Sequence, residues 1–372
     1  MSKTMKVLIV EDDGDQFEAY EETAEELSND DLKIHLKWET SLDNAKAALL
    51  SRDFDAAIVD LNLEPGNPTD ASGNAVLSEI IECHRFPVYV VSGNLGNLDE
   101  KIRSKKSEFL DFYDREQPNE DIFKKLVKIY STGITRILGG RGQIEERLGE
   151  IFWKHLACDF DVWSSQNDES ERALLRYTVS HLAEYLDIPD GHLRYYHEAE
   201  FYIKPTIREH IATGDIVEKE NDRFIVLSPP CDVAVRSVDD GAPKINATRI
   251  VLAPLIKVER ASFIDQRIIA EDDNPKSIKS TLERIMKGQQ EKFIFLPSYK
   301  ELSASIVDLQ NLYTVDFNDF NKYDRLATVA SPFLKDIQSR FSAYFGRQGQ
   351  PDMDKKELLK KYKKLLSDDD SH

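Results

Sequence analysis

The sequence predicts a doubly wound α/β domain over residues 1–138, then a helical connector, then an α+β portion built on a small antiparallel β-barrel. Two stretches carry the first prediction: Lys6–Asp13 (KVLIVEDD) and Phe54–Leu63 (FDAAIVDLNL). Each is a short run of aliphatic residues that ends abruptly in carboxylates. A run apolar at nearly every position suits a strand buried on both faces of a parallel sheet. The third observation is alternation: five strand-like runs alternate with five helical ones, the arrangement that produces such a sheet.

In chain order, Asp15–Asn29 has the charge density and apolar spacing of a surface helix. LKIHLKWE alternates as a second strand, and LDNAKAALLSR reads as the next helix. FDAAIVDLNL is the third strand, followed by the loop EPGNPTDASG and the helix NAVLSEIIECHR. FPVYVVSGN, the short helix LDEKIRSKKSE and FLDFYD complete the strands. A last helix runs from near Asn119 through IFKKLVKIYSTGITRIL. His84, at a helix end, reads as a positive complement to the helix C-terminus.

Carboxylates at the C-terminal ends of such strands fall where doubly wound sheets place their ligands. Glu11, Asp12 and Asp60 are therefore expected to converge. Three acids close together repel unless a cation joins them, and an all-oxygen set favours a hard ion such as Mg²⁺. A metal-held Asp at the rim of that pocket is a natural phosphoryl acceptor.

These features, with LIVEDD, IVDLNL and VYVVSGN in that order, resemble the receiver domain of bacterial two-component response regulators. The resemblance covers residues 5–135. It implies that Asp60 is the phosphoacceptor and that Glu11, Asp12, Asp60 and the backbone carbonyl of Asn62 hold Mg²⁺. It also implies that Ser92 senses the phosphoryl group and that a sensor histidine kinase is the partner. One departure stands out: receiver domains carry a Lys at the end of the fifth strand, and here the region reads FLDFYDREQPNEDIFKKL. A gapless count from the following helix puts Arg115 at that position, whereas anchoring on Pro118 puts Gln117 there. Arg is a planar fork rather than a point charge, so the exchange is not conservative.

Gly139, Gly140 and Gly142 mark the end of the first domain. A connector over 139–205 follows, with helical periodicity in 144–163 and 171–187 on either side of the polar break SSQNDES. Its aromatics (Phe152, Trp153, Phe160, Trp163, Tyr177, Tyr185, Tyr195, Tyr196) are expected to be core, and His155 and His181 packed or capping rather than metal ligands. The output domain is placed at 206–350 and a basic helix with the acidic tail SDDDSH at 351–372. INATRIVLAPLIKVE reads as a pair of strand-like runs, and with IATGDIVEKENDRFIVLSPP it loosely resembles the SH3-like barrel of MazF/PemK toxins, which implies an RNA endonuclease fold working as a dimer. Arg223 and Ser228 are the candidate reactive residues by that resemblance. Cys231 is expected to be buried, with the Asp232 side chain tying down its loop by accepting backbone N–H bonds.

With 49 basic against 68 acidic residues and a net charge of −19, wholesale neutralisation of nucleic-acid phosphate is not expected, although a local basic patch is not excluded. The three cysteines (Cys83, Cys158, Cys231) lack metal spacing and fit a reducing cytoplasm. No uncharged stretch approaches the roughly 18 residues of a membrane span, and no membrane association is expected. The expected function is a phosphorylation-switched response regulator, cytoplasmic and homodimeric, whose non-helix-turn-helix output binds a partner or itself. The alternative is a toxin-like or nuclease-like effector restrained by the receiver.

Overall fold

A computed structural model describes residues 3–64, 67, 70–164, 170–186, 195–239, 242–266, 268, 275–348 and 352–366. The chain divides into two compact units, Met1–His192 and Leu193–His372. Parts of the loop after Asp60, most of the polar break at 164–170 and the acidic tail lie outside the described residues.

The first unit opens with β1 (Lys3–Val10), α1 (Gly14–Leu27), β2 (Leu32–Glu39), α2 (Leu42–Leu49), β3 (Ala56–Val59) and α3 (Gly73–Cys83). β4 (Val88–Val91), α4 (Glu100–Arg103), β5 (Leu110–Tyr113) and α5 (Asn119–Ser131) complete its β/α alternation. The five strands are parallel in the order β2-β1-β3-β4-β5. Strand alternation sends Leu8, Val10, Ala57 and Val59 to one face, where α2 and α3 cover them with Leu49, Val76 and Leu77. Met5, Val7, Ile9 and Ile58 go to the other, under Tyr20 of α1 and Phe123 and Leu126 of α5. Burial on both faces is why these strands read as unbroken apolar runs. The order reverses between β1 and β3, so their C-terminal ends open a crevice between them.

The expected long final helix is broken. Gly133, at φ +85°, ends α5 and starts α6 (Ile134–Leu138), because that left-handed conformation suits glycine. His84 is the C-cap residue of α3, where burial lowers its pKa. The glycine run does not behave as an open linker. A Cβ on Gly140 would lie 2.4 Å from the Cβ of Arg52 in the first unit, and one on Gly139 would lie 2.3 Å from the Thr135 carbonyl oxygen. Beyond it come α7 (Gln143–Ile151), continuous helical turns, α8 (Phe160–Ser164) and α9 (Ser170–Leu186). The aromatic residues there are not uniformly core: Phe152, Trp153, Phe160, Tyr195 and Tyr196 are exposed, between 51% and 87%. His155 and His181 do pack, ring against ring at 5.0 Å.

In the second unit the strands are β6 (Tyr202–Ile203), β7 (Asp215–Lys219), β8 (Asp222–Val226), β9 (Ser237–Asp239), β10 (Ala242–Lys244), β11 (Arg249–Lys257), β12 (Phe293–Leu296), β13 (Ser305–Asp308), β14 (Tyr313–Asp316) and β15 (Asp324–Val329). The helices are α10 (Pro230–Val233), α11 (Arg260–Asp265), α12 (Pro275–Met286), α13 (Ser331–Gly346) and α14 (Lys355–Leu366). The main sheet follows β12-β13-β11-β8-β7-β15-β6, with β14 on β11. It is a curled antiparallel half-barrel, and its end strands β12 and β6 do not pair among the described residues. The 249–257 stretch, which reads as two strands, is one. Pro254 divides it: residues 249–252 pair with β14 and 255–257 with β13. The β7–β8 turn uses Glu220 and Asn221 at φ +51° and +74°, the twist that a two-residue hairpin favours.

At the centre of this sheet Asp215 is fully buried. It accepts from Arg325 Nε at 2.8 Å, Thr328 Oγ1 at 2.6 Å and the Ala212 N–H at 2.8 Å. This pins β15 to β7 and to the loop before it. Removing the acid strands a largely buried guanidinium, which costs about 3–5 kcal/mol. Asp215→Ala should therefore lower the unfolding free energy of the second unit by that amount in urea unfolding, with the first unit's transition unmoved.

Candidate functional site

The acids that end β1 and β3 do converge. Glu11 and Asp60 are 1% and 3% exposed, and carboxylate oxygens of Glu11, Asp12 and Asp60 lie within 4.8 Å of one another. Asp13 is spent on structure, capping α1 by accepting from the Asp15 and Gln16 N–H groups. Trp38, at the end of β2, donates from Nε1 to the Glu11 carbonyl at 2.7 Å while stacked on Phe17 at 4.5 Å. That fixes the backbone at the point where the strand gives way to acids.

Asp60 leaves β3 directly beneath the N-terminus of α3. A Cβ on Gly73 would lie 2.2 Å from the Asp60 carbonyl oxygen, so only glycine lets the helix start here. The Gly73 N–H also donates to the Leu61 carbonyl at 3.0 Å. Past Asp60, the Asn62 N–H donates to Asp60 Oδ1 at 3.3 Å, and Asp70 accepts from the Leu63 N–H at 2.7 Å. Ser92, 2% exposed, closes β4. A cleft of about 570 Å³ is lined by Asp12, Asp60, Asn62, Ser92 and Arg115 together with Gly93 and Asn94.

The guanidinium of Arg115 occupies the middle of this cluster. Nη2 donates to Asp60 Oδ2 at 2.6 Å and to Glu11 Oε1 at 2.9 Å, and Nη1 reaches Asp13 Oδ2 at 3.4 Å. Gln117 turns away and donates to Asp121 at 3.2 Å. Of the two positions the sequence leaves open, then, Arg115 is the one that touches the acids. One cation among this many carboxylates does not balance them. Burial, followed by the charge of Asp60, pushes the Glu11 pKa up to about 8 despite the opposing pull of Arg115. The same acids raise the pKa of Arg115 against its own burial. An all-oxygen pocket with surplus negative charge fits a hard divalent cation.

The residues singled out in the second unit do not assemble into a comparable site. Arg223 donates from Nε to Glu218 at 2.7 Å and from Nη1 to the Glu301 carbonyl at 2.8 Å. Ser228 is 2% exposed and its hydroxyl accepts from the Val251 N–H at 2.8 Å. Cys231, expected inside, is exposed. Asp232 holds its loop through its backbone carbonyl, which accepts from the Asn246 and Ala247 N–H groups, rather than through its side chain.

No family model matches the chain, and no curated protein matches it. Among solved structures it is similar to a CheY-like response regulator receiver domain from Methylobacillus flagellatus, at 22% identity over 33% of this chain and 99% of that one, TM-score 0.27. The receiver domain of NtrX from Brucella abortus gives 22% identity over 34% and 98%, TM-score 0.27. The phosphorylated cyanobacterial phytochrome response regulator RcpA gives 17% over 37% and 99%, again at 0.27. At these scores the likenesses carry no argument, and the fold of the first unit stands on its strand order and connections. The toxin-like resemblance of the second unit finds no support among them.

Two outcomes follow from the geometry. Gly73→Ala should force α3 off the Asp60 loop and cost about 1–3 kcal/mol in thermal or urea unfolding of the first unit, as overpacking against backbone does. Arg115→Ala should tighten Mg²⁺ binding on the order of tenfold in calorimetric titration, because the variant removes a cation from the oxygens the metal would use.

Proposed function

We propose that this chain is a response regulator that accepts a phosphoryl group on Asp60. The observation that carries the reading is the convergence of Glu11, Asp12 and Asp60 at neighbouring strand ends, with Ser92 and Arg115 in the same cleft. Glu11, Asp12, Asp60 and the backbone carbonyl of Asn62 are the residues that would hold Mg²⁺. When bound, that ion supplies charge neutralisation for the incoming phosphoryl oxygens.

The donor is the phosphorylated imidazole of a sensor histidine kinase. A carboxylate oxygen of Asp60 attacks phosphorus, the P–N bond breaks, and the imidazole leaves with the electron pair. Before transfer, Arg115 shields Asp60 from Glu11 by hydrogen-bonding to both. After transfer the Asp60 side chain carries phosphoryl oxygens, and a guanidinium is well matched to them as a charge-assisted donor. The Ser92 hydroxyl, at the end of the adjacent strand, donates to another of those oxygens. Movement of Ser92 and Arg115 toward the phosphoryl group alters β4 and β5, and with β5 its half-buried Phe112 and Tyr113. A local charge biasing a two-state element in this way is the general form of a phosphorylation switch. The second unit then acts as the output, by binding a partner or a second copy.

Acetyl phosphate with Mg²⁺ tests the reading. Intact-mass measurement should show a gain of one phosphoryl group on the wild type and none on Asp60→Asn. A wild type that gains nothing, or an Asp60→Asn variant that gains the same mass, would rule out Asp60 as the acceptor.

A further inference from the structure

Helix α9 has two apolar stripes, and the structure covers only one. Tyr177, His181 and Tyr185, spaced four apart, face the arm formed by α7, α8 and the turns between them. Tyr177 meets Trp163 at 5.2 Å, His181 meets His155 at 5.0 Å, and the Arg147 guanidinium lies 5.2 Å from the Tyr185 ring. Leu175, Val179 and Ala183 have the same spacing and sit about 160° further round the helix, at 100° per residue. Leu175 is 64% exposed and Val179 57%, and Ala183 is exposed too. A surface helix of a self-contained fold shows one apolar stripe. A second, exposed one marks an interaction surface.

The charges bordering that stripe identify the occupant. Along its edge run Arg176, Ser180 and Glu184, all exposed and again four apart. Arg176 and Glu184 are equidistant from Ser180. A parallel copy of the helix would set arginine against arginine and glutamate against glutamate. An antiparallel copy, related by a two-fold axis at Ser180, sets each Arg176 beside the partner's Glu184. The small side chains of Ser180 and Ala183 let the two backbones approach at the centre. This arrangement is self-complementary, as a two-fold interface requires, and two hairpins joined this way make a four-helix layer.

We infer that the outer face of α9 is a homodimerisation surface, on which a second copy of the chain docks antiparallel through Leu175, Val179 and the Arg176–Glu184 pairs. The contact is independent of the phosphoacceptor reading, since it draws on none of the residues of the acidic cleft.

Sedimentation of the full-length protein tests it. The wild type should be a dimer in the micromolar range, and Val179→Asp, a change at an exposed position, should be a monomer with unchanged circular dichroism. Arg176→Glu and Glu184→Arg should each weaken the dimer about tenfold, since each turns two attractions into repulsions. The double reversal should recover most of the loss, which a folding defect would not. The inference fails if the wild type stays monomeric, if Val179→Asp remains dimeric, or if the double reversal is no tighter than the single changes.

Discussion

The structure of the first unit depends on how buried negative charge is held where β1 and β3 end. Glu11 and Asp60 are almost wholly removed from water, a condition that carboxylates tolerate only with partners. Arg115 supplies that partner by bonding both through one nitrogen. Burial, and behind it the charge of Asp60, still raises the pKa of Glu11 against the pull of Arg115. In the proposed function the pocket has two fillings: the guanidinium, and a divalent cation that would use the same oxygens. A lysine in place of Arg115 would offer a point charge; the planar fork adds a second nitrogen, Nη1, which reaches Asp13.

The scaffold makes that charge cluster affordable by fixing everything around it. The sheet is covered on both faces, so its strand ends cannot splay to separate the acids. Trp38 holds the Glu11 carbonyl and Gly73 lets α3 press on the Asp60 backbone. In the second unit the same logic recurs without a cleft. Asp215 and Arg325 are buried as a hydrogen-bonded pair, with Thr328 completing the acid's partners, so the group serves to join strands.

Much of the first unit was legible in the sequence because its strands are local and buried on both faces. KVLIVEDD and FDAAIVDLNL announce their acids at the strand ends, and parallel pairing brings those ends together. What was not legible depends on close approach or distant pairing. Nothing near Gly73 indicates that its missing side chain is what lets Asp60 sit under α3. Strand β15 is hard to read from sequence, since Arg325 and Thr328 make DRLATV look too polar for a sheet interior; their partner, Asp215, is more than a hundred residues away. Pro254 made one strand resemble two, since the change of partner from β14 to β13 is a property of the sheet. The aromatic residues of 152–163 looked like core because composition alone does not tell a covered stripe from an exposed one.

In the proposed function Arg115 is an exchangeable counter-ion that passes from the free carboxylates to the modified Asp60. Nitrogen-15 NMR of the arginine side chains reads this directly, with Arg115→Lys identifying the signal. On adding Mg²⁺ the Arg115 resonance should shift as its contacts with Glu11 and Asp60 loosen. On adding beryllofluoride, a phosphoryl mimic, it should shift again to a single slowly exchanging state. An Arg115 signal unchanged by both additions, while Mg²⁺ binding is shown by calorimetry, would contradict the account.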